Sequence, residues 1–243
     1  MKASFVASMV VCGAIAFMPG LGFAEDNGCY PTPSDLLAFW PAEGRAIDVA
    51  SVFAGNLALG VSYSPGFVGD AFDFTAPSAL WVGVGGPEGE SFTIEAWVFL
   101  ASDASGWQVI YVGTHGFYLL DGKAAWWHGN VLFAGTSVLS TGVWHHVAIT
   151  YDDATDTFAG YFDGQPDGTS TSADNYLPYG ASIGYTNGAS HLNGKIDELA
   201  VYGRALLPSE IQGIFDAGSS GKDLVFRGDF EIGDTSRWLL GDL

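Results

Sequence analysis

The run Trp126-Trp127-His128-Gly129-Asn130 concentrates flat aromatic faces beside imidazole and amide groups. Sugar rings stack on such faces, while Asn, Asp and His side chains take the hydrogen bonds of their hydroxyls. On a strand, one of the two tryptophans must face each side. Trp126 or Trp127, with His128, is therefore a candidate ligand platform. A polar, turn-rich stretch with Tyr176, Tyr179, Tyr185, Asn187 and His191 is its candidate rim. The competing reading makes the tryptophans core residues and the tyrosines covers for a sheet edge. Other chemistries find less support. His145 and His146 are adjacent, so on a strand they point to opposite faces and cannot chelate one ion together. There is no His-Glu-x-x-His, no paired-cysteine motif and no Gly-x-Ser-x-Gly elbow. Gly83-Val84-Gly85-Gly86 reads as a turn rather than a phosphate cradle.

The composition narrows the partners. The 243 residues carry 27 acidic and 8 basic side chains, a net charge of -19. So few cations cannot neutralise a row of phosphates, which excludes nucleic acid and disfavours an anionic membrane surface. Asp supplies 19 of the 27 acids, a bias that fits a chain rich in turns. Lys2, the apolar run Val6 to Phe17 and the small residues before a cut after Ala24 form a secretory signal over residues 1–24. That run is too short to span a bilayer, which needs about 20 residues. The expected product is therefore secreted, periplasmic or at the extracellular surface, with no membrane contact after cleavage. Removal of the signal takes Cys12 and leaves Cys29 alone, so no intramolecular disulfide is expected.

The elements that must position these groups are mostly strands. Phe92 to Leu100 alternates Phe92, Ile94, Ala96, Val98 and Leu100 on one face, with Trp97 and Phe99 on the other. Trp144 to Tyr151, Phe158 to Phe162 and Lys195 to Tyr202 behave alike. Shorter candidates lie at Tyr111–Val112, Phe117–Leu120, Ala124–Trp127 and Ser182–Tyr185. Many short strands without helices between them predict an antiparallel sandwich or barrel. One helix is expected over Leu207 to Gly218, with Pro208 near its start, although Gly213 weakens it. Gly218-Ser219-Ser220-Gly221 reads as a flexible linker, followed by a tail. The division is thus a signal at 1–24, a sandwich domain at 29–217, and linker and tail at 218–243.

Several runs occur in a characteristic order. They are Leu37-Ala38-Phe39-Trp40-Pro41-Ala42-Glu43-Gly44, Val68-Gly69-Asp70-Ala71-Phe72-Asp73-Phe74, Phe92-Thr93-Ile94-Glu95-Ala96-Trp97-Val98 and Trp144-His145-His146-Val147-Ala148. Tyr161-Phe162-Asp163-Gly164-Gln165 and Gly194-Lys195-Ile196-Asp197-Glu198-Leu199-Ala200-Val201-Tyr202 complete the series. From about Leu36 to Asp216 the chain resembles the laminin-G-like, concanavalin A-like jelly-roll domains of secreted bacterial proteins. The resemblance implies an all-β fold of two antiparallel sheets with one short C-terminal helix. It also implies a face or loop rim that binds glycans or proteins. In similar domains a cation is often held between the N-terminal loop and an Asp of the last strand. The matching positions are Glu43, Gly44 and Asp197, with Asp48 nearby, which makes calcium the expected cofactor. The alternative is a carboxylate hydrogen-bonded to loop amides. Glycosidases on this sandwich use Glu-x-Asp-x-x-Glu, which this sequence lacks. Asp197 and Glu198 are expected on opposite faces, so no local acid pair is available for glycoside hydrolysis.

The expected function is a secreted, non-catalytic lectin-like module for a glycan or a cell-surface protein, with calcium as a stabiliser. A polysaccharide-active hydrolase or lyase with scattered acids, and a structural or adhesive surface protein, are the alternatives.

Overall fold

The computed structural model describes residues 30–50, 55–58, 61–74, 79–82, 91–102, 105–113, 115–174, 181–185 and 190–223. The expected signal at 1–24, Cys29 and the tail from 224 onward lie outside the described residues. The chain opens with β1 (Tyr30–Pro31), β2 (Leu36–Trp40), β3 (Gly55–Ala58), β4 (Ser62–Pro65), β5 (Asp70–Asp73) and β6 (Ala79–Val82). It continues with β7 (Phe92–Leu100), β8 (Trp107–Val112), β9 (Gly116–Leu120), β10 (Lys123–His128), β11 (Asn130–Ala134) and β12 (Trp144–Asp152). Then come β13 (Thr157–Phe162), β14 (Gln165–Thr171), β15 (Ala181–Ile183) and β16 (Gly194–Tyr202). Helix α1 (Pro208–Ala217), a 3-10 turn (Gly218–Ser220) and β17 (Lys222–Asp223) close it.

Two antiparallel sheets result, ordered β11-β10-β9-β8-β15-β6-β3 and β14-β13-β12-β7-β16-β5-β4, with β2 also paired to β16. This is the expected jelly-roll sandwich. Its core lies where alternation directs the apolar residues. Ile94, Ala96, Val98 and Leu100 of β7 meet Phe117, Leu119 and Trp126 of the facing sheet. The other face of β7 is covered too, which accounts for its aromatic residues. Trp97 stacks on Phe67 at 3.7 Å between ring centroids and packs on Phe215 of α1 at 5.6 Å. A second apolar cluster, including Phe39, Tyr161, Tyr202, Ile211 and Ile214, seats the helix on this outer face.

The helix falls where proline and glycine place it, but Gly213 has a specific cause. A Cβ there would stand 2.1 Å from the ring of Tyr30, so glycine admits β1 against the helix. Two sequence expectations change. The stretch 218–221 is not a flexible linker: it forms the 3-10 turn and delivers Lys222, 7% exposed, onto the outer face. Nor do Asp197 and Glu198 face opposite sides. A bulge between Asp197 and Ala200, with Glu198 at φ 55°, breaks the alternation. Asp197 lies opposite Trp97, and Glu198 shares Lys222 with Glu95, so both acids lie on the helix-covered face.

Candidate functional site

The hairpin β9–β10 builds the most developed polar corner among the described residues. Its register sets Gly116 opposite Trp127, so His115 and His128 flank the same end of the pair. Trp126 points into the core and is fully buried. Its indole cannot stack against a ligand, and instead Nε1–H donates to Asp174 Oδ2 at 2.6 Å. The other carboxylate oxygen, Oδ1, lies 2.7 Å from His128 Nδ1 and 3.2 Å from His115 Nδ1. The two imidazoles stack at 3.5 Å, with 22° between their planes. Asp174 and His115 side chains are 0% and 4% exposed, whereas His128 is 42% exposed. The corner therefore has a buried floor and one open side. Burial lowers the His115 pKa, with His128 adding to the effect and Asp174 opposing it.

Trp127 is the tryptophan that faces out. By register it shares the outer face of its sheet with Gly116, Tyr118, Leu120 and Trp107. Tyr118 meets Trp107 edge to face at 5.3 Å. Its ring lies so close over Gly116 that a Cβ there would stand 2.2 Å from it. Half-buried Trp127 ends this aromatic row, while exposed His128 and its cross-strand partner Asn130 turn to the other side at the same strand end.

The expected rim does not join them. Ser182 and Ile183 pair with Val112 and Tyr111, so β15 runs from the His115 end of β8 toward Trp107. Tyr185, bridged to exposed His191, consequently lies at the opposite end of the strands from His128. Asn187, Tyr176 and Tyr179 lie outside the described residues. Sequence reasoning missed His115 and Asp174. The hairpin register carries the signal for the first, since residues just outside a paired end are neighbours. Asp174 arrives from a distant loop through tertiary packing.

The positions implied for calcium separate into two places. Asp197 Oδ2 accepts from Phe67 N–H at 2.9 Å and Val68 N–H at 2.8 Å. Its Oδ1 is buried without a hydrogen-bond partner among the described residues, a costly arrangement for a carboxylate. Burial pushes the Asp197 pKa well up, and Glu198 adds to the effect. Glu43 approaches the same loop from its other end, accepting from Asp70 N–H at 3.4 Å. Asp48 instead ties its own loop, with Oδ1 accepting from Phe39 and Ala50 N–H at 2.8 and 2.9 Å. Gly44 is an exposed turn residue with φ 65°. Glu43 and Asp197 thus reach different amides of the same 66–70 loop, whereas Asp48 serves the amides of its own loop.

The acids of the helix-covered face are engaged as well. Lys222 Nζ lies 3.1 Å from Glu95 Oε1 and 3.3 Å from Glu198 Oε2, above the Phe39 ring at 4.6 Å. His146 Nε2 is 3.1 Å from Glu95 Oε2. His145 turns away to Asp163 at 2.9 Å, so the two histidines do point apart. Burial raises the pKa of Glu198. For Glu95 the burial effect is outweighed by Lys222 and His146, which hold its pKa below the ordinary value. Glu95 and Glu198 are buried and bound to an ammonium, which withholds them from any substrate.

A family model for the concanavalin A-like lectin/glucanase superfamily, laminin G type, matches residues 76–212, more than half of the chain. The chain belongs to that superfamily. Solved structures share its sandwich at low identity. Domain 4 of AbnA, an extracellular GH43 arabinanase from Geobacillus stearothermophilus solved with arabinotriose, is 20% identical with a TM-score of 0.61. That match covers 73% of this chain and 97% of the domain. The binding domain of Paraclostridial Mosquitocidal Protein 1 gives 17% identity and a TM-score of 0.62, covering 74% of this chain and 52% of the toxin domain. Trypanosoma rangeli sialidase with sialic acid gives 19% and 0.57, covering 77% of this chain and 35% of the enzyme. No curated protein matches by sequence. Within this superfamily the chain has no described helix long and apolar enough to cross a membrane.

Proposed function

We propose that the chain is an exported, non-catalytic module that binds a neutral oligosaccharide. The observation that carries this reading is the outward, half-buried Trp127, which shares its sheet face with Tyr118 and Trp107 and offers a flat ring on which a sugar can stack. The likeness to a domain solved with arabinotriose supports the ligand class. The scarcity of cations, 8 against 27 acids, argues against sulfated and uronic-acid glycans. Export rests on the signal-like residues 1–24. Binding to a neutral oligosaccharide array should be lost in Trp127→Ala and retained in Tyr185→Ala and His191→Ala, which alter the opposite end. Equal binding by wild type and Trp127→Ala rejects the site.

Calcium is proposed as a stabiliser on the 66–70 loop. Glu43 and Asp197 would hold it, and the ion would supply the positive charge that the buried Asp197 carboxylate lacks. Added calcium should raise the melting temperature of wild type but not of Asp197→Ala. Identical melting of the wild type with calcium and with chelator rejects this role.

A further inference from the structure

Among the described residues, one group of three metal-ligating side chains comes together: His115, His128 and Asp174, whose ligand atoms lie within 4.8 Å of one another. We propose that these residues form a solvent-open site for a divalent transition-metal ion, zinc above all, held by the two Nδ1 atoms and Asp174 Oδ1. The proposal rests on neither the glycan nor the calcium reading, although His128 also belongs to the expected ligand platform.

The arrangement exceeds what a plain ion pair requires. One imidazolium suffices to pair with one carboxylate. Here two rings lie face to face, 22° from parallel, and both Nδ1 atoms converge on one oxygen. Zinc takes nitrogen and oxygen at about 2.0–2.2 Å, so tetrahedral ligands stand about 3.3 Å apart. The observed 2.7 and 3.2 Å are near that spacing, and because an ion lies in the plane of each imidazole it binds, exposed His128 must rotate out of the 3.5 Å stack to complete the site. Trp126 Nε1–H fixes the second carboxylate oxygen, as outer-shell donors do at metal sites. The Asp174 N–H also donates to the Tyr151 hydroxyl at 3.0 Å, holding the backbone on the core.

The ligand set selects the ion. Calcium takes six to eight oxygens, which two imidazoles cannot replace. Two nitrogens and one carboxylate suit zinc, cobalt, nickel or copper, and three protein ligands leave room for water or an exogenous group. The open side is that of His128, 42% exposed, beside its cross-strand partner Asn130.

The test uses tag-free full-length protein, stripped with chelator and titrated with zinc by calorimetry, without sugar. One zinc should bind per chain, and cobalt should give visible d–d absorption without sulfur-to-metal charge transfer. His128→Ala should weaken zinc at least tenfold while melting stays near that of wild type, because this side chain is half exposed. His115→Ala and Asp174→Asn should do the same; if burial makes them unfold, His128→Ala decides. His191→Ala should leave zinc affinity unchanged. Folded wild type that takes up no zinc, or equal affinity in wild type and His128→Ala, overturns the proposal.

Discussion

Lys222 shows how one residue can hold a surface together. It brings a positive charge to two buried acids, and all three would be severely penalised alone. Removing the ammonium by Lys222→Ala leaves Glu198 without a cation and Glu95 with only His146 and Tyr202, so a loss of about 3–5 kcal/mol is expected in denaturant unfolding. The pH dependence follows the same contacts. Burial lowers the Lys222 pKa, but Glu95 and Glu198 outweigh it and raise it above 10.5. Burial also raises that of Tyr202 well above 10.0, with Glu95 adding to it. Both groups keep their proton longer in the folded chain, so their stabilisation is complete below these values and is lost as pH rises through the folded ones. The melting temperature of wild type should fall above about pH 10. Lys222→Met should show a shallower fall, with the Tyr202 component remaining. An equally steep fall in both proteins would remove Lys222 from this account.

At the level of elements, the hairpin β9–β10 and helix α1 show what could and could not be read from sequence. Alternation located β7, β12, β13 and β16, and the Pro208–Gly218 punctuation located the helix within a residue at each end. The same alternation required one of Trp126 and Trp127 to face outward, but only the facing sheet decides that it is Trp127. The bulge at Asp197 and Glu198 was illegible because it depends on how β2 and β5 share the edge of β16. Asp174 could not be linked to the histidines from spacing, since its loop reaches them only once both sheets close. Gly213 separates local from tertiary preference. In an isolated helix Gly→Ala stabilises by about 1 kcal/mol. In this protein the Tyr30 ring occupies the space, so Gly213→Ala should destabilise by about 1–3 kcal/mol through overpacking. Pairing it with Tyr30→Ala should recover part of that loss in a double-mutant cycle; additive losses would rule out the Tyr30 contact as the cause.

For the whole molecule, the acidic excess divides into acids with distinct duties. Asp48 and Asp167 tie loops: Asp167 accepts from the amides and hydroxyls of Thr136 and Ser137. Glu95 and Glu198 hold the C-terminal lysine, and Asp174 organises the histidine corner. No lysine or arginine occurs from Ala46 to Gly122 or from Ala124 to Gly194. Most of the sandwich thus presents a field that repels polyanions and attracts cations.

The pairing of β1 with β17 also has a mechanical consequence. These strands run parallel, with Tyr30 beside Lys222 and Pro31 beside Asp223. Tension applied before Tyr30 and after Asp223 pulls them in opposite directions along their common axis. The load is therefore shear, borne by the strand contacts and by the Lys222 ion pairs together, and not an unzipping of one bond at a time. A module held at both ends would transmit force through the buried Lys222 ammonium.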